Sequence, residues 1–147
     1  MQTVIRRFRL TDLDRLLEIE RSAFPKAAYP RDLFLELYED CASLFFVALR
    51  GRSIAGYSVT CVRPPRAELV SIAVDRRHRR LGIAGALLRR TLTRLRRLGA
   101  VRLNLMVRAR NRGAIALYRS FGFRITARVA AYYENGEDGV RMSLAIG

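Results

Sequence analysis

The sequence lacks several residue types that mark particular classes of protein. It has no tryptophan, one histidine and two cysteines. Two cysteines are too few for a disulfide framework and lack the spacing of a metal site, so we expect Cys41 and Cys61 to be reduced, buried thiols and expect no bound metal. No apolar run reaches the ~18 residues that a membrane span needs, and Arg6 and Arg7 follow Met1 too closely for a signal peptide. We therefore expect a cytoplasmic protein with no membrane partner.

Negative charge is also scarce. The chain has 13 acidic residues against 28 basic ones, which gives a formal net charge of +15. Lys26 is the only lysine, so arginine supplies nearly all of the positive charge. A surface of this kind attracts polyanions such as RNA and ribosomes. Because the arginine bias runs through the whole composition, no single arginine is evidence of a binding site.

What is present is an alternation of strand-like and helix-like segments in a chain of 147 residues, half of them hydrophobic. Apolar periods of two and of 3.6 residues distinguish the two kinds of segment. No linker, repeat or low-complexity segment divides them, so we expect one domain over residues 1–147, with a mixed α/β sheet packed between helices. The predicted strands span residues 3–8, 44–49, 54–62, 68–74, 101–107, 123–131 and 140–146, and the predicted helices span residues 13–23, 31–38, 87–98 and 114–121.

The turn between the fourth predicted strand and the third predicted helix has an unusual composition. Four arginines crowd the start of the helix, where the helix dipole normally favours acidic side chains. Gly82 and Gly85 remove side chains at the same place, so that backbone N–H groups can approach a ligand closely. Together these features predict a phosphate cradle. The alternative is a solvated turn in a chain that is rich in arginine throughout.

The glycine pattern narrows the choice of phosphate. Gly85 is followed by alanine and leucine, not by lysine and a hydroxyl residue, which excludes a P-loop, and the three glycines of the dinucleotide motif are not all present. The pattern Arg79-x-x-Gly82-x-Ala84 resembles the signature of the GNAT superfamily of acyl-coenzyme A N-acyltransferases. Residues 111–123 and 132–138 are similar to segments of N-terminal protein acetyltransferases, above all the bacterial ribosomal-protein alanine acetyltransferases.

The resemblance implies the GNAT fold, in which strands four and five of the sheet splay apart and hold the pantetheine arm of acetyl-coenzyme A. Free backbone groups of strand four would bind the arm, and the N–H of Val74 would polarise the thioester carbonyl. The basic turn would hold the pyrophosphate, mainly through its N–H groups, and Asn111 would reach the pantetheine. By resemblance, the acetyl-coenzyme A site comprises Ile72, Ala73, Val74, Arg79, Arg80, Gly82, Ile83, Ala84, Gly85, Asn111 and Tyr118.

The catalytic groups follow from the same resemblance. Tyr118 matches the family's general acid, which gives a proton to the departing thiolate; the alternative is that it only packs on the apolar face of its helix. The relatives' strand-five glutamate, which serves as the base, is replaced here by Met106, which cannot take a proton. Glu68 offers a replacement, because other GNAT enzymes use a glutamate at the start of strand four. The alternative for Glu68 is an ordinary surface carboxylate.

The acceptor is the least defined part of the interpretation. Tyr132 and Tyr133 resemble the aromatic residues that clamp a peptide in the family. The leading interpretation is transfer of an acetyl group from acetyl-coenzyme A to the N-terminal α-amine of a protein, a ribosomal protein being one candidate. The alternatives are a small amine or a lysine side chain as acceptor, or a basic RNA- or ribosome-binding module without catalysis. No aromatic-and-basic strand motif of an RNA-binding sheet is present, so we expect no direct nucleic-acid binding. We also expect a monomer or weak dimer.

Overall fold

Seven strands form a mixed sheet in this computed structural model, which describes residues 2–147. The strand order is β1-β2-β3-β4-β5-β7-β6, and every pair is antiparallel except β4 with β5. The predicted mixed α/β sheet is therefore confirmed. The strands are β1 (Thr3–Arg7), β2 (Phe45–Arg50), β3 (Ser53–Arg63), β4 (Arg66–Val74), β5 (Arg102–Arg108), β6 (Arg124–Val129) and β7 (Gly139–Ala145).

The helices also follow the predicted order. They are α1 (Leu13–Ala23), α2 (Arg31–Cys41), α3 (Ile83–Arg97) and α4 (Arg112–Ser120). Two helices are longer than predicted: α3 begins at Ile83, four residues before the predicted start, and α2 continues three residues past Tyr38 because Cys41 packs into the core with the apolar face of that helix. None of the helices within residues 2–147 is long and apolar enough to cross a membrane.

The helices cover the two faces of the sheet. On one face α3 packs its leucines, among them Leu87, Leu88 and Leu95, in a core cluster with residues of β2 and β4 such as Phe46 and Leu69. On the other face α1 and α2 pack against the aromatic side chains of β2 and β3, and Phe34 and Tyr57 meet edge to face with their ring centres 5.8 Å apart. This two-sided burial explains why the central strands are apolar on both faces.

The parallel contact between β4 and β5 is short. Arg66–Leu69 pair with Arg102–Leu105, and beyond Leu69 the strands separate. Over residues 70–74 the edge of β4 that faces β5 therefore has no partner strand. A β-bulge lies at the same point, because Leu69 pairs with Thr60 while Ser71 pairs with the adjacent Val59. The bulge turns Ser71 to the face of the sheet that α1 and α2 cover, although Leu69 points to the α3 face.

The prediction of two reduced thiols is wrong. Cys41 at the end of α2 and Cys61 on β3 form a disulfide, with their Cα atoms 5.0 Å apart. The two residues are 20 positions apart in sequence, and α2 folds back over β3 to bring them together. A count of cysteines contains no information on this packing, so the sequence could not show it.

Candidate active site

One open groove contains all of the residues that the resemblance assigned to the acetyl-coenzyme A site. We call it the large groove; it has a volume of about 720 Å³ and lies between the separated part of β4, the start of α3 and the face of α4. The predicted residues that line it are Ile72, Ala73, Val74, Arg79, Arg80, Gly82, Ile83, Ala84, Gly85, Asn111 and Tyr118. The roles of these residues in binding a ligand remain predictions. Their position in one groove is an observation of this structure alone.

The start of α3 presents free backbone donors to the large groove. Gly82 is the N-cap of α3, with a φ of 73° that side chains other than glycine rarely adopt. The first helical hydrogen bond is donated by Ala86 N–H to Gly82 O at 3.0 Å. The N–H groups of Ile83, Ala84 and Gly85 therefore have no helical acceptor and point toward the positive end of the helix dipole.

The charges around this helix start fit an anion. Within residues 2–147, neither Arg79 nor Arg80 forms an ion pair, and both are exposed. The first turn of α3 contains no acidic residue. Asp75, which precedes the basic turn, already accepts hydrogen bonds from Arg15 and from the Arg77 N–H. Free donors, unpaired guanidinium groups and a glycine N-cap are what a pyrophosphate requires.

The separated edge of β4 offers a second set of backbone groups. Asp75 N–H donates to Ala55 O at 2.7 Å, which makes Gly56 and Val74 a pair without mutual hydrogen bonds in the antiparallel ladder. The N–H and C=O of Val74 consequently face away from β3, toward the gap between β4 and β5. By alternation the backbone groups of Ile72 face the same way, whereas those of Ala73 bond to β3.

Tyr118 lies where the groove meets the interior of the sheet. Its ring packs against Phe123 at 5.6 Å between centres, and it is buried apart from the side that lines the groove. The hydroxyl forms no hydrogen bond with another residue of the described chain. Burial raises the pKa of Tyr118, with a smaller contribution from Tyr133, so the phenol keeps its proton at neutral and moderately alkaline pH.

Asn111 has a structural task in addition to its predicted one. It is the N-cap of α4, and its Oδ1 accepts the N–H of Ala114 at 3.1 Å. One lone pair of the oxygen is therefore engaged in the helix cap, and the amide NH₂ remains as the donor that can contact a ligand in the groove.

A second and smaller cavity opens on the other side of the same gap. We call it the small cavity; its volume is about 70 Å³. It shares Phe24, Ile72, Asn111 and Tyr118 with the large groove, so the two meet where β4 and β5 separate. Its other lining residues are Glu20, Ala27, Tyr29, Leu69, Val70, Ser71, Leu105, Met106, Val107, Arg108 and Tyr133.

Comparison with known proteins identifies the family. Residues 13–123 match the Acetyltransferase (GNAT) family. An N-alpha-acetyltransferase of Sulfurisphaera tokodaii is 34% identical over 152 residues, which cover 95% of this chain and 90% of the relative. The crystal structure of a ribosomal-protein alanine N-acetyltransferase from Escherichia coli superposes with a TM-score of 0.90 at 33% identity, over 99% of this chain and 95% of that one. The Ard1 structure from Thermoplasma volcanium gives a TM-score of 0.93 at 28% identity, over 99% and 98% of the two chains.

The chain belongs to the GNAT acetyltransferase family. It is an acetyl-coenzyme A-dependent acyltransferase, and the large groove has the donors and charges that this cosubstrate needs. No cluster of three or more histidine, cysteine, aspartate or glutamate side chains that could hold a metal ion occurs in residues 2–147.

The three residues predicted to contact or deprotonate the acceptor, Tyr132, Tyr133 and Glu68, do not share one cavity in this acetyltransferase. Tyr133 lines the small cavity, and burial raises its pKa to about 12. Tyr132 packs edge to face against Tyr133 at 5.0 Å but is 48% exposed and does not line the cavity. Glu68 lies on β4 opposite Asn104 in the paired part of the strand, outside the lining of both cavities. Burial raises the pKa of Glu68, and Arg141 partly offsets this, so its catalytic role stays a prediction.

Two charged residues of the small cavity were missed from the sequence. Glu20 is buried, although it is a carboxylate; it follows Leu13, Leu16 and Leu17 at helical spacing, and this position on an apolar stripe was the available signal. Arg108 ends β5, with its guanidinium 3.8 Å from the centre of the Tyr133 ring. Nothing in the local sequence distinguishes Arg108 from the many other arginines.

Arg108 also fixes the connection between β6 and β7 over the small cavity. Its guanidinium lies 3.4 Å from the carboxylate of Glu137, which follows Tyr133 in this connection. Asp138 accepts the N–H of Ala131 at 3.0 Å and pairs with Arg128 at 2.9 Å. The wall that Tyr133 forms is therefore anchored at both ends of the connection.

Proposed function

We propose that this acetyltransferase moves the acetyl group of acetyl-coenzyme A to the N-terminal α-amine of a protein, with a ribosomal protein as one candidate acceptor. The observation that carries the proposal is the small cavity, which reaches Tyr118 from the side opposite the large groove. An amine that enters there meets a thioester held in the gap between β4 and β5. The names of the relatives from Sulfurisphaera tokodaii and Escherichia coli support this class of acceptor.

The large groove would bind the cosubstrate by its phosphates and its arm. The N–H groups at the start of α3, with Arg79 and Arg80, would hold the pyrophosphate. The exposed backbone groups of Ile72 and Val74 would bond to the pantetheine amides. The Val74 N–H, which faces the gap, would also stabilise the negative charge that develops on the thioester oxygen during attack.

Tyr118 would act as the general acid. Its hydroxyl is free, it lines both cavities, and its raised pKa keeps the proton available. When the thiolate leaves, the Tyr118 oxygen gives up this proton and can take one from the nitrogen of the tetrahedral intermediate. The same hydroxyl would thus carry the proton from nitrogen to sulfur.

The α-amine also suits a site without the relatives' strand-five glutamate. An α-amine with a pKa near 8 is neutral in roughly a tenth of molecules at pH 7, whereas a lysine amine is neutral in far fewer than a hundredth. Glu68 remains the base proposed from the sequence. If it takes the proton through water, Glu68→Gln should lower turnover with a deficit that shrinks as pH rises; parent-like turnover at every pH would remove Glu68 from the mechanism.

We further propose that residues 1–147 act as one domain. β1, close to the beginning of the chain, and β7, close to its end, belong to the same sheet, and both sides of the gap contribute to one site. A proteolysis time course with acetyl-coenzyme A bound should therefore yield no stable fragment that retains ligand binding.

A peptide panel tests the acceptor. One peptide has a free N-terminus and a blocked lysine, its matched partner has a blocked N-terminus and a free lysine, and coenzyme A release is measured for both. We expect rapid release with the first peptide and mass spectrometry that places the acetyl group on its α-amine. Acetylation of lysine in the second peptide at an equal or greater rate would overturn the proposal.

A further inference from the structure

Three buried polar side chains form a continuous chain from the small cavity to α1. They are Ser71 on β4, Tyr57 on β3 and Glu20 on α1, with exposures of 8%, 0% and 1%. The Tyr57 hydroxyl contacts a carboxylate oxygen of Glu20 and lies 2.9 Å from the Ser71 Oγ. Ser71 lies in the separated part of β4 and lines the small cavity. Glu20 also borders this cavity, but its two carboxylate oxygens accept the Tyr57 hydroxyl and the Tyr29 N–H, so a group in the cavity reaches Glu20 through the hydroxyls. We call Ser71 and Tyr57 the hydroxyl relay.

The hydrogen bonds of the relay run in one direction, from Ser71 through Tyr57 to Glu20. A hydroxyl carries one hydrogen, and the Tyr57 hydroxyl donates it to the ionised Glu20 carboxylate, which can only accept. The Tyr57 oxygen must then accept the hydrogen of Ser71. The lone pairs of Ser71 are left to accept a hydrogen from a group in the cavity. The bulge at Val70 creates this arrangement, because it turns Ser71 toward Tyr57.

We propose that the hydroxyl relay, and not Glu68, which lies outside both cavities, carries a proton from the acceptor ammonium in the small cavity to Glu20. An N–H bond of the ammonium breaks as an O–H bond forms on Ser71, Ser71 passes its own hydrogen to Tyr57, and Tyr57 passes its hydrogen to Glu20. The neutral amine and a protonated Glu20 result, and no other reactant is needed. The proton returns to solvent by the reverse path after the product leaves. This inference rests on the proposed acetyl transfer to an amine.

The groups around Glu20 agree with this task. Burial raises the pKa of Glu20 above that of an ordinary carboxyl, which makes it a better proton acceptor. The Tyr29 N–H, which donates to the other carboxylate oxygen at 2.9 Å, the Tyr57 and Ser71 hydroxyls and the charge of Arg108 partly offset this rise in the pKa of Glu20. Burial and the charge of Glu20 raise the pKa of Tyr57 well above its usual value, which disfavours a phenolate in the relay.

Glu20 acts on the acceptor only through the hydroxyls of Tyr57 and Ser71. We therefore treat all three as positioning residues. A purely structural network would lose stability on mutation but would leave the pH dependence of turnover unchanged. A relay predicts that these mutations change the pH dependence of turnover. Without it only the acceptor molecules that are already neutral can react, so the loss depends on the pKa of the acceptor amine.

The test compares kcat/KM for an N-terminal peptide between pH 7 and pH 9, with the full chain and saturating acetyl-coenzyme A. Ser71→Ala removes the relay hydroxyl at the cavity, and Ser71→Thr restores one. Tyr57→Phe removes the middle hydroxyl and keeps the ring. For an amine with a pKa near 8, we expect Ser71→Ala and Tyr57→Phe to lose about tenfold at pH 7 and to approach the parent near pH 9. Ser71→Thr should recover most of the loss.

Two further variants make the result decisive. Ser58→Ala is the matched control, because Ser58 is a fully buried serine of β3 whose hydroxyl has no partner within the described chain. Its profile should follow the parent. The double variant Ser71→Ala/Tyr57→Phe should be no worse than either single variant, since one break stops the relay. Glu20→Gln should show the same profile as the single variants where it folds.

The experimental results distinguish a failure of the relay from a failure of the proposed function. A parent that acetylates α-amines, with Ser71→Ala and Tyr57→Phe showing no deficit or the same deficit at every pH, overturns the relay alone. A parent that acetylates only lysine side chains overturns the proposed acceptor. The relay would then still predict a deficit for these variants, with convergence moved above pH 10 to the pKa of the lysine amine.

Discussion

The large groove and the small cavity meet at Tyr118, yet they are built in different ways. The groove takes most of its lining from one continuous segment, residues 72–85, and offers backbone N–H groups and a glycine N-cap. The cavity takes its lining from α1, the loop that precedes α2, β4, β5 and the connection between β6 and β7, and offers side chains. One side of the gap therefore depends on local chain geometry, and the other depends on tertiary packing.

The largest effect is expected where the two sides meet. Tyr118→Phe keeps the ring that packs on Phe123 and removes only the hydroxyl. Turnover should fall by roughly 10²–10⁴-fold, while the affinity for acetyl-coenzyme A stays within a few-fold, because proton transfer is lost without loss of binding. Rapid-mix kinetics and calorimetry check both quantities. The matched control is Tyr38→Phe on α2, whose ring packs on Phe8 far from the site. Equal turnover in Tyr118→Phe and the parent would leave the reaction without its acid.

A second variant tests the backbone groups of the large groove without changing the side chains of the small cavity. Gly82→Val places a Cβ on a residue with φ of 73°, at the mouth of the phosphate cradle. Gly99→Val is the matched control, since Gly99 has a φ of 79° and, like Gly82, would have no atom within 4 Å of an added Cβ. Both should lose about 1–2 kcal/mol of stability from backbone strain.

Only Gly82→Val should also lose acetyl-coenzyme A binding, by at least tenfold. Thermal melts with and without the ligand measure both effects. If both variants kept the same ligand-induced rise in Tm, the cradle at the start of α3 would have to be abandoned.

A third variant moves the chemistry of the small cavity toward that of the relatives. Met106 lines this cavity, and its Cε lies close to Gly139 of β7. Met106→Glu places a carboxylate there, close enough to take a proton from the acceptor without the hydroxyl relay. In a Ser71→Ala background it should restore kcat/KM by several-fold at pH 7 and have little effect at pH 9. An equal change at both pH values would show that the substitution alters packing and not proton transfer.

The smallest expected effect concerns Asn111. Asn111→Asp keeps the oxygen that caps α4 and removes the NH₂ that faces the groove. We expect an unchanged or slightly raised Tm, because a negative charge is favourable at a helix start, and a decrease of a few-fold in acetyl-coenzyme A affinity. Asn111→Ala should instead lose about 1 kcal/mol of stability with the cap. A parent-like affinity in Asn111→Asp would confine Asn111 to its capping role.

The contrast between the two sides also explains what the sequence could predict. The glycines and arginines between Val74 and Gly85 predicted a phosphate cradle at the start of a helix from the local sequence alone, whereas the rest of the groove was assigned from the resemblance to the family. Glu20 was missed because its partners, Tyr57 and Ser71, lie on β3 and β4, 37 and 51 positions further along the chain. The succession of strands and helices along the chain and the α/β class followed from apolar periodicity, which the packing of the core preserves.

The short parallel contact between β4 and β5 has a consequence for how the molecule opens. It joins two antiparallel blocks, one formed by β1 to β4 with α3 against them, the other by β5, β7 and β6. Blocks joined through so few residues can unfold with separate local free energies, and native-state hydrogen exchange would then show two groups of amides. A ligand held by α3 on one block and α4 on the other would link these openings, so that the two groups exchange together once the gap is filled.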